Sequence, residues 1–501
     1  MKRILPSIAL LLFAVLPSRA QIASEGQTTL IRPEENTTVA KAGWRSRLED
    51  DAYLPAEGKG LTQGEFRARA AHSLDSLRRV EGGVSYERGV KRGVRWNTSS
   101  DWELLAPYVT VDSIGGDLQK EQYRFFARYA ARPADSRFFY SLYTDYRALH
   151  EYRAVDPRPR NITADLLLGA GGGFISGGYA LSLEAAWRTY HQSGDVDFKN
   201  PLGMNTAIIH DLGFGRSLSR FSGSSSSMDV RFRGSGLRAS LVLEPVTRLG
   251  WIAGADYSWS DIVRHLKNQN ETPLSSLQSH ALDAYAGHKW PGMLLRVRLR
   301  GSLRRGLENV VDATSAFGTA ASLPMYHEHA IEAMLDAMVQ RSAWTVHPTL
   351  GFSGISASDL YPGSRFEVCF AKAGADATLR LSETLGISAG LAGRLALGSD
   401  FVLAGGADAG GSVAGGFAAG GSVAGGSAAA TASGADARTT EYLTHLYERL
   451  SDSSLRAHIG AEAGFVTKGG ITLFLNPVAG ATYYFTNHYR LDIQLFTGIK
   501  F

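Results

Sequence analysis

From Tyr489 to the last residue the chain alternates apolar and polar positions without a break. The odd positions read Tyr489, Leu491, Ile493, Leu495, Thr497, Ile499 and Phe501, and the even ones Arg490, Asp492, Gln494, Phe496, Gly498 and Lys500. A period of two sends successive side chains to opposite faces of a sheet, so one face suits lipid and the other water. The pattern recurs along the chain: Phe66, Ala68, Ala70 and His72 share one face, Val84 and Tyr86 open another stretch, and 123–129 and 138–146 follow. Further candidate strands lie near 161–171, 177–191, 204–215, 228–244, 247–260, 277–290, 292–305, 327–341, 343–355, 365–381, 383–399, 438–450, 453–467, 470–485 and 488–501. Merging adjacent cases predicts an all-β transmembrane antiparallel barrel of about 16 strands, within a range of about 14–18, an even count being the bacterial rule. Short breaks such as 132–135 alternate with long ones such as 91–118, as expected of a barrel with a turn side and a loop side.

The termini extend this picture. Phe501 closing an alternating strand resembles the assembly signal of bacterial outer-membrane barrels, carried here by Tyr489, Leu491, Ile493, Leu495 and Phe501. At the other end, Lys2 and Arg3 precede an apolar run, Ile4–Leu16, and the small-residue site Ser18-Arg19-Ala20. That run is too short to span a bilayer and predicts a signal peptide over 1–20, with export as its consequence. Residues 21–60 are polar and predict a periplasmic arm or partial plug, leaving 61–501 as the barrel. Aromatics cluster at strand ends (Trp187 with Tyr190, Tyr257 with Trp259, and Tyr483, Tyr484, Phe485 and Tyr489), which fits interfacial girdles. Residues 404–437 are almost entirely Ala, Gly and Ser and predict a flexible external loop.

Charge and cysteine content narrow the options. The chain carries a formal +4, and Lys2, Arg3 and Arg19 leave with a leader that has no Asp or Glu, so about +1 remains. No nucleic-acid partner is implied. Cys369 is the only cysteine, which excludes an intrachain disulfide and a Cys-rich zinc site.

Candidate chemistry is sparse. Arg296, Arg298 and Arg300 share a face opposite Leu295, Val297 and Leu299. An arginine facing lipid at the bilayer midplane costs ~2–4 kcal/mol, so these three must face the lumen. They form either an anion-attracting ladder or a ladder neutralised by neighbouring acids, and the second reading is favoured. Glu328, Glu332 and Asp336 are the expected acids, on a strand, although their spacing also allows a helix acting as a lid. His327 and His329 supply two ligands, which make no metal site, and His210, Asp211 and Ser217 show no nucleophile elbow. The expectation is neither enzyme nor metalloprotein, with no cofactor.

Two segments carry a family resemblance. Residues 107–123 contain Asp-Ser-Ile-Gly-Gly-Asp, and residues 144–161 end in Asp-Pro-Arg-Pro-Arg-Asn. Both resemble a domain-of-unknown-function family of Bacteroidota outer-membrane barrels. The residues themselves read as structural turns: Gly115, Gly116 and Asp117 in the first, and Asp156, Pro157, Arg158 and Pro159 in the second. The resemblance implies an integral outer-membrane barrel near TonB-dependent uptake, and the strand count with the Arg ladder points to a channel or accessory protein for solutes. Its implied partners are membrane lipid, the barrel assembly machinery and a TonB-dependent receptor or surface lipoprotein. A plugged structural or assembly subunit and a fatty-acid-type transporter of hydrophobic ligands stay open as alternatives.

Overall fold

The structure, a computed structural model, describes residues 36–51, 54–200, 208–218, 228–311, 319–361, 363–403, 413–417, 442–443, 445–467 and 471–501. The wall begins with β1 (Thr37–Glu49), β2 (Gly60–Ser73) and β3 (Arg78–Val94). A short helix, α1 (Trp102–Leu105), and β4 (Thr110–Asp112) leave the wall before β5 (Gly116–Ala131), β6 (Phe138–Arg153), β7 (Arg158–Ser176) and β8 (Tyr179–Asp197) resume it. Next, β9 (Ile208–Gly213) and β10 (Arg216–Ser217) lie off the wall. The wall continues through β11 (Val230–Pro245), β12 (Gly250–Leu266), β13 (Thr272–Trp290), β14 (Met293–Val311), β15 (Thr319–Gln340), β16 (Trp344–Asp359), β17 (Arg365–Arg380) and β18 (Leu385–Leu403). After β19 (Val413–Phe417), which pairs with β18, it ends with β20 (Ser454–Val466), β21 (Thr472–Tyr484) and β22 (His488–Lys500).

Eighteen antiparallel strands form a closed barrel, because β22 also pairs with β1, placing Leu495 opposite Trp44 and Ile499 opposite Ala40. Closure removes both sheet edges, which a backbone in hydrocarbon requires. The alternation selects the faces. Leu491, Ile493 and Leu495 point outward, while Arg490 and Asp492 pair inward at 2.9 Å. Outward aromatics gather at both rims: Phe138, Phe174, Trp251, Trp290 and Trp344 at one, and Tyr152, Tyr483, Phe485 and Tyr489 at the other. Such a belt with girdles is the lipid-facing surface of a membrane barrel.

The count of eighteen lies at the upper end of the expected 14–18, two above the central sixteen, and the reasons for the difference are specific. Of the arm expected over 21–60, Thr37–Glu49 is instead wall strand β1, placed between β2 and β22, and 21–35 lie outside the described residues. The stretch 204–215 contains β9, which sits inside the lumen, and within 438–450 the described residues 445–450 are helical. Both carry apolar residues that pack on the inner wall, which mimics a strand pattern. The region 327–341 is strand, not helix, up to Gln340. Tyr190 and Tyr484 are buried rather than interfacial. The signal peptide and the Gly/Ala-rich loop, apart from 413–417, lie outside the described residues.

The two ends of the barrel differ. Connections 74–77, 132–137, 177–178, 246–249, 291–292, 341–343 and 381–384 are short and share an end with Thr37 and Lys500. The opposite end carries the long connections 95–115, 198–229 and 404–453. From this loop end, residues 95–115, 208–218 and 445–450 fold into the lumen as a plug, with Thr110 of β4 opposite His210 of β9. Apolar packing holds it in place. Leu105, Val109 and Val111 lie against Tyr190, Phe232 and Ile262 of the wall, and Tyr108, Leu212 and Phe214 against Tyr326, Ile355 and Phe366.

Candidate functional site

The basic ladder is neutralised by register. Antiparallel pairing of β14 with β15 sets Arg296 opposite Asp336, Arg300 opposite Glu332 and Arg304 opposite Glu328. The ion pairs follow at 2.8, 2.9 and 3.4 Å. Arg298 and Arg300 also share Asp283 of β13, at 2.7 and 3.3 Å, and Lys372 of β17 binds Glu332. Val297 and Leu299, between the arginines, face outward. Of the six residues read from the sequence, Arg296 pairs with Asp336 and Arg300 with Glu332, whereas Arg298 turns to Asp283 and Glu328 to Arg304, so the ladder is neutralised by acids on both neighbouring strands. His327 and Glu328 occupy opposite faces of β15, and among the described residues no group of three or more His, Cys, Asp or Glu is placed to hold a metal.

The two turn motifs meet each other. Gly115 and Gly116 have φ of +74° and +145°, which a residue with a side chain adopts only with strain. This lets the chain return from β4 to β5 while the Gly115 N–H donates to Asp112 Oδ1 at 2.6 Å. The other Asp112 oxygen accepts from Arg153 Nη1 at 3.0 Å, with both side chains fully buried. Arg153 belongs to the second motif, whose turn is held by Asp156: it accepts from Arg158 Nε (2.6 Å) and from the N–H groups of Lys199 (3.0 Å) and Asn200 (2.8 Å). These donors, Asn200 first, hold the Asp156 carboxyl down at about 2. Asp117 accepts the Gly93 N–H at 2.9 Å. Gly115, Asp156 and Pro157 lie in the turns, while Gly116, Asp117, Arg158 and Pro159 are the first residues of β5 and β7, and the two motifs meet through Asp112 and Arg153.

Four wall arginines anchor the plug. Arg147 makes a two-pronged pair with Asp101 at 2.8 and 2.5 Å, and the Tyr190 hydroxyl donates to the same carboxylate at 2.9 Å. Arg153 holds Asp112. Arg264 donates to the carbonyls of Val109 (2.9 Å) and Asp211 (3.1 Å), and Arg304 to those of Ala106 (2.5 Å) and Leu104 (3.1 Å). Gly306 completes the seat: a Cβ there would overlap the Tyr108 ring. Sequence reasoning missed all four, Arg147, Arg153, Arg264 and Arg304, as a set. Their signal is weak but present, an inward arginine in the loop-end half of a strand.

Beneath the plug lies a cavity of about 990 Å³, reached by mid-strand residues Arg67, Arg124, Arg188, Arg238, Asp256 and Asp283 of the wall and capped by Trp102, Glu103 and Leu104 of α1. Its charges are largely paired, as in Arg124 with Asp145 and Arg238 with Asp256, both at 2.5 Å. Burial together with the neighbouring Glu57 carboxylate pushes Glu103 up to about 9, and the two carboxyls share a hydrogen bond. The raised carboxyl of Glu103 thus ties α1 to Glu57 in the β1–β2 connection. Asp101 shows the opposite balance. Burial opposes its charge, but Arg147 outweighs burial and keeps it ionised.

A smaller cavity of about 130 Å³ sits on the other side of Trp102, Glu103 and Arg304. Aromatic rings and the carboxyl of Asp211 line it, and burial lifts that carboxyl to about 6.

The barrel is similar to solved siderophore receptors. These include PiuA from Acinetobacter baumannii (7% identity, 93% of this chain and 82% of that one, TM-score 0.42), FyuA, the ferric yersiniabactin receptor from Yersinia pestis (10%, 92% and 80%, 0.41), and PirA from Pseudomonas aeruginosa (8%, 93% and 81%, 0.39). No curated protein matches the chain. Residues 28–501, the whole wall with its plug, match one sequence family, and the protein with its docked-plug motifs belongs to that family, a family of unknown function (DUF6850).

Proposed function

We propose that the protein is a gated barrel of the bacterial outer membrane that admits solutes, its gate being the plug formed by residues 95–115 and 208–218. One observation carries this reading: a loop-derived plug, tethered by wall arginines, stands over a polar cavity of about 990 Å³. A barrel of this strand number has an aqueous lumen unless something fills it. Here the filling is a pair of wall-to-wall loops whose described residues form no ladder with the barrel strands and are held in the lumen by arginine side chains and apolar packing. A TonB-dependent receptor or surface lipoprotein belongs to the reading as the companion that would move or supply the gate.

Conductance in planar bilayers tests it. Wild-type protein should be mostly closed, and D101A/R147A, which removes the two-pronged tether, should show frequent larger openings. Equal silence from folded wild type and variant would overturn the gate. The same plug also favours a second reading, a closed subunit of a larger complex. Gentle purification yielding a companion in fixed ratio, with no conductance from either variant, would select that one.

A further inference from the structure

We infer that the central cavity holds a binding site for a compact dianion of the phosphate-monoester type, built on Lys41 and Arg67 and reinforced by Arg45. Register brings these residues together. One row of the inner face runs across adjacent strands as Phe474 of β21, Gly498 of β22, Lys41 of β1, Arg67 of β2, Ser85 of β3 and Arg124 of β5. The row holds three cations, a hydroxyl and a ring, and no acid. Phe474, Lys41, Arg67, Ser85 and Arg124 all line the cavity. Lys41 and Arg67 stand directly opposite each other, and like charges so placed weaken a strand pair.

The acids nearest this row are committed elsewhere. Arg67 pairs with Glu65 and reaches Glu87 at 3.7 Å, while Glu87 also takes Lys120 at 2.9 Å and Asp145 holds Arg124 at 2.5 Å. Among the described residues, no acid forms an ion pair with Lys41 or Arg45. Arg45 reaches the side-chain oxygen of Gln494 at 3.5 Å, and its Nε is buried without an acceptor. Lys41 Nζ lies over the Phe496 ring. The charges acting on Lys41 are those of Arg67 and Arg45, and Arg45 and Arg124 act on Arg67 in turn. Gly43, between Lys41 and Arg45 on the same face, puts no side chain between them. Two positive charges in this quarter of the lumen are thus left without a carboxylate, whereas Arg238 and Arg298 on the far wall have Asp256 and Asp283.

A wall that holds like charges together gains when an anion lies between them. A metal cation would be repelled, and a neutral solute would leave the repulsion in place. A carboxylate or sulfate ester answers one of the two charges. A phosphate monoester answers both, and its terminal oxygens can accept from the Lys41 ammonium, the planar fork of Arg67 and the Ser85 hydroxyl at once. As cargo, this anion rests on the solute-admitting reading above; as a bound ligand it is detected without conductance.

The test is calorimetric titration of the full barrel in detergent with phenyl phosphate, at mildly alkaline pH, where a phosphate monoester is a dianion. Phenyl sulfate is the isosteric monoanion and phenol the neutral control. Saturable binding of phenyl phosphate is expected, with phenyl sulfate at least about tenfold weaker, the effect of one hydrogen bond to a charged group. K41Q should weaken phenyl phosphate by about tenfold or more, and K41Q/R45Q further still. Without ligand, K41Q should keep or raise the urea midpoint, since it removes an opposed like charge. Titrating D101A/R147A as well gives the ligand a loosened plug to pass. No saturable binding to either form, equal affinity for the phosphate and sulfate esters, or unchanged affinity in K41Q would overturn the inference. Should K41Q not fold, as judged by heat-modifiable gel mobility, the comparison of the two esters decides alone. Binding by a barrel that stays silent in bilayers would keep the site and remove the gate, and conductance without binding would do the reverse.

Discussion

Arg128 of β5 and Glu184 of β8 meet along the inner wall, over β6 and β7, at 2.5 Å, both side chains almost without solvent contact, and Ser141 of β6 donates to the same carboxylate at 3.1 Å. Removing one member leaves a buried charge unanswered, which costs about 3–5 kcal/mol, whereas replacing both by apolar groups is far milder. R128A should therefore lower the urea midpoint of the refolded barrel sharply, while R128M/E184L should recover most of it. Equal loss in both variants would mean that the pair acts through packing alone. Such pairs were partly legible in the sequence. Arg296, Arg300, Glu332 and Asp336 lie on adjacent strands, so alternation and proximity were enough to match them. Arg147 and Asp101 were not legible as partners, because Asp101 belongs to a segment that leaves the wall, and period-two reasoning places only wall residues.

At the scale of elements, the plug is where the sequence reading and the structure part most. Residues 204–215 and 438–450 carry the apolar content of strands, yet their described parts, 208–215 and 445–450, pack on the inner wall. An amphipathic element facing a lumen and one facing lipid present the same pattern to a reader of sequence. What distinguishes α1 chemically is Glu103. Its carboxyl titrates near 9 when docked against Glu57, far above the ordinary glutamate value of 4.5. A carboxyl with a raised value binds more protons docked than undocked, so docking is strongest in acid. It weakens as pH rises from about 4.5 to about 9 and changes little above that. Lys91 and Arg47 near Glu57, and Arg304 near Glu103, temper the repulsion without removing it. Single-channel open probability should climb over this window in wild type and stay flat in E103Q. A wild-type profile as flat as that of E103Q would sever the gate from this carboxyl pair.

The whole molecule depends on one seam. β1 pairs with β22 over eleven residues from Val39–Lys500 to Glu49–Arg490, joining the two ends of the described chain into a ring. Sequence alone assigned β1 to a periplasmic arm, since Thr37, Thr38, Lys41, Arg45 and Arg47 make the segment polar, and its outward face carries few large apolar residues beyond Trp44 and Leu48. Its partner on the seam explains the composition. Gly43 has no Cβ because the Phe496 ring covers it, and Lys41 Nζ lies 5.0 Å from the centre of that ring. A polar strand completes the wall because its neighbour supplies the bulk. Ala42 faces Thr497 directly. Opposed residues in an antiparallel pair stand about 4.5–5.5 Å apart at Cα, within the span of a disulfide. In a Cys369→Ala background, A42C/T497C should oxidise to an intramolecular cross-link that shifts the mobility of the heat-denatured protein, and reduction should restore it. Moving one cysteine to Gly43, opposite the lumen-to-lipid alternation of Thr497, should leave cross-linking slow. Comparable cross-linking at both positions would mean a mobile arm near the barrel rim, and the wall would then close through β2 on β22 with an odd number of strands. An odd count would set β2 and β22 parallel at the seam and put Gly60 and Lys500 at opposite ends, so the absence of the specific cross-link would remove the basis for an all-antiparallel ring.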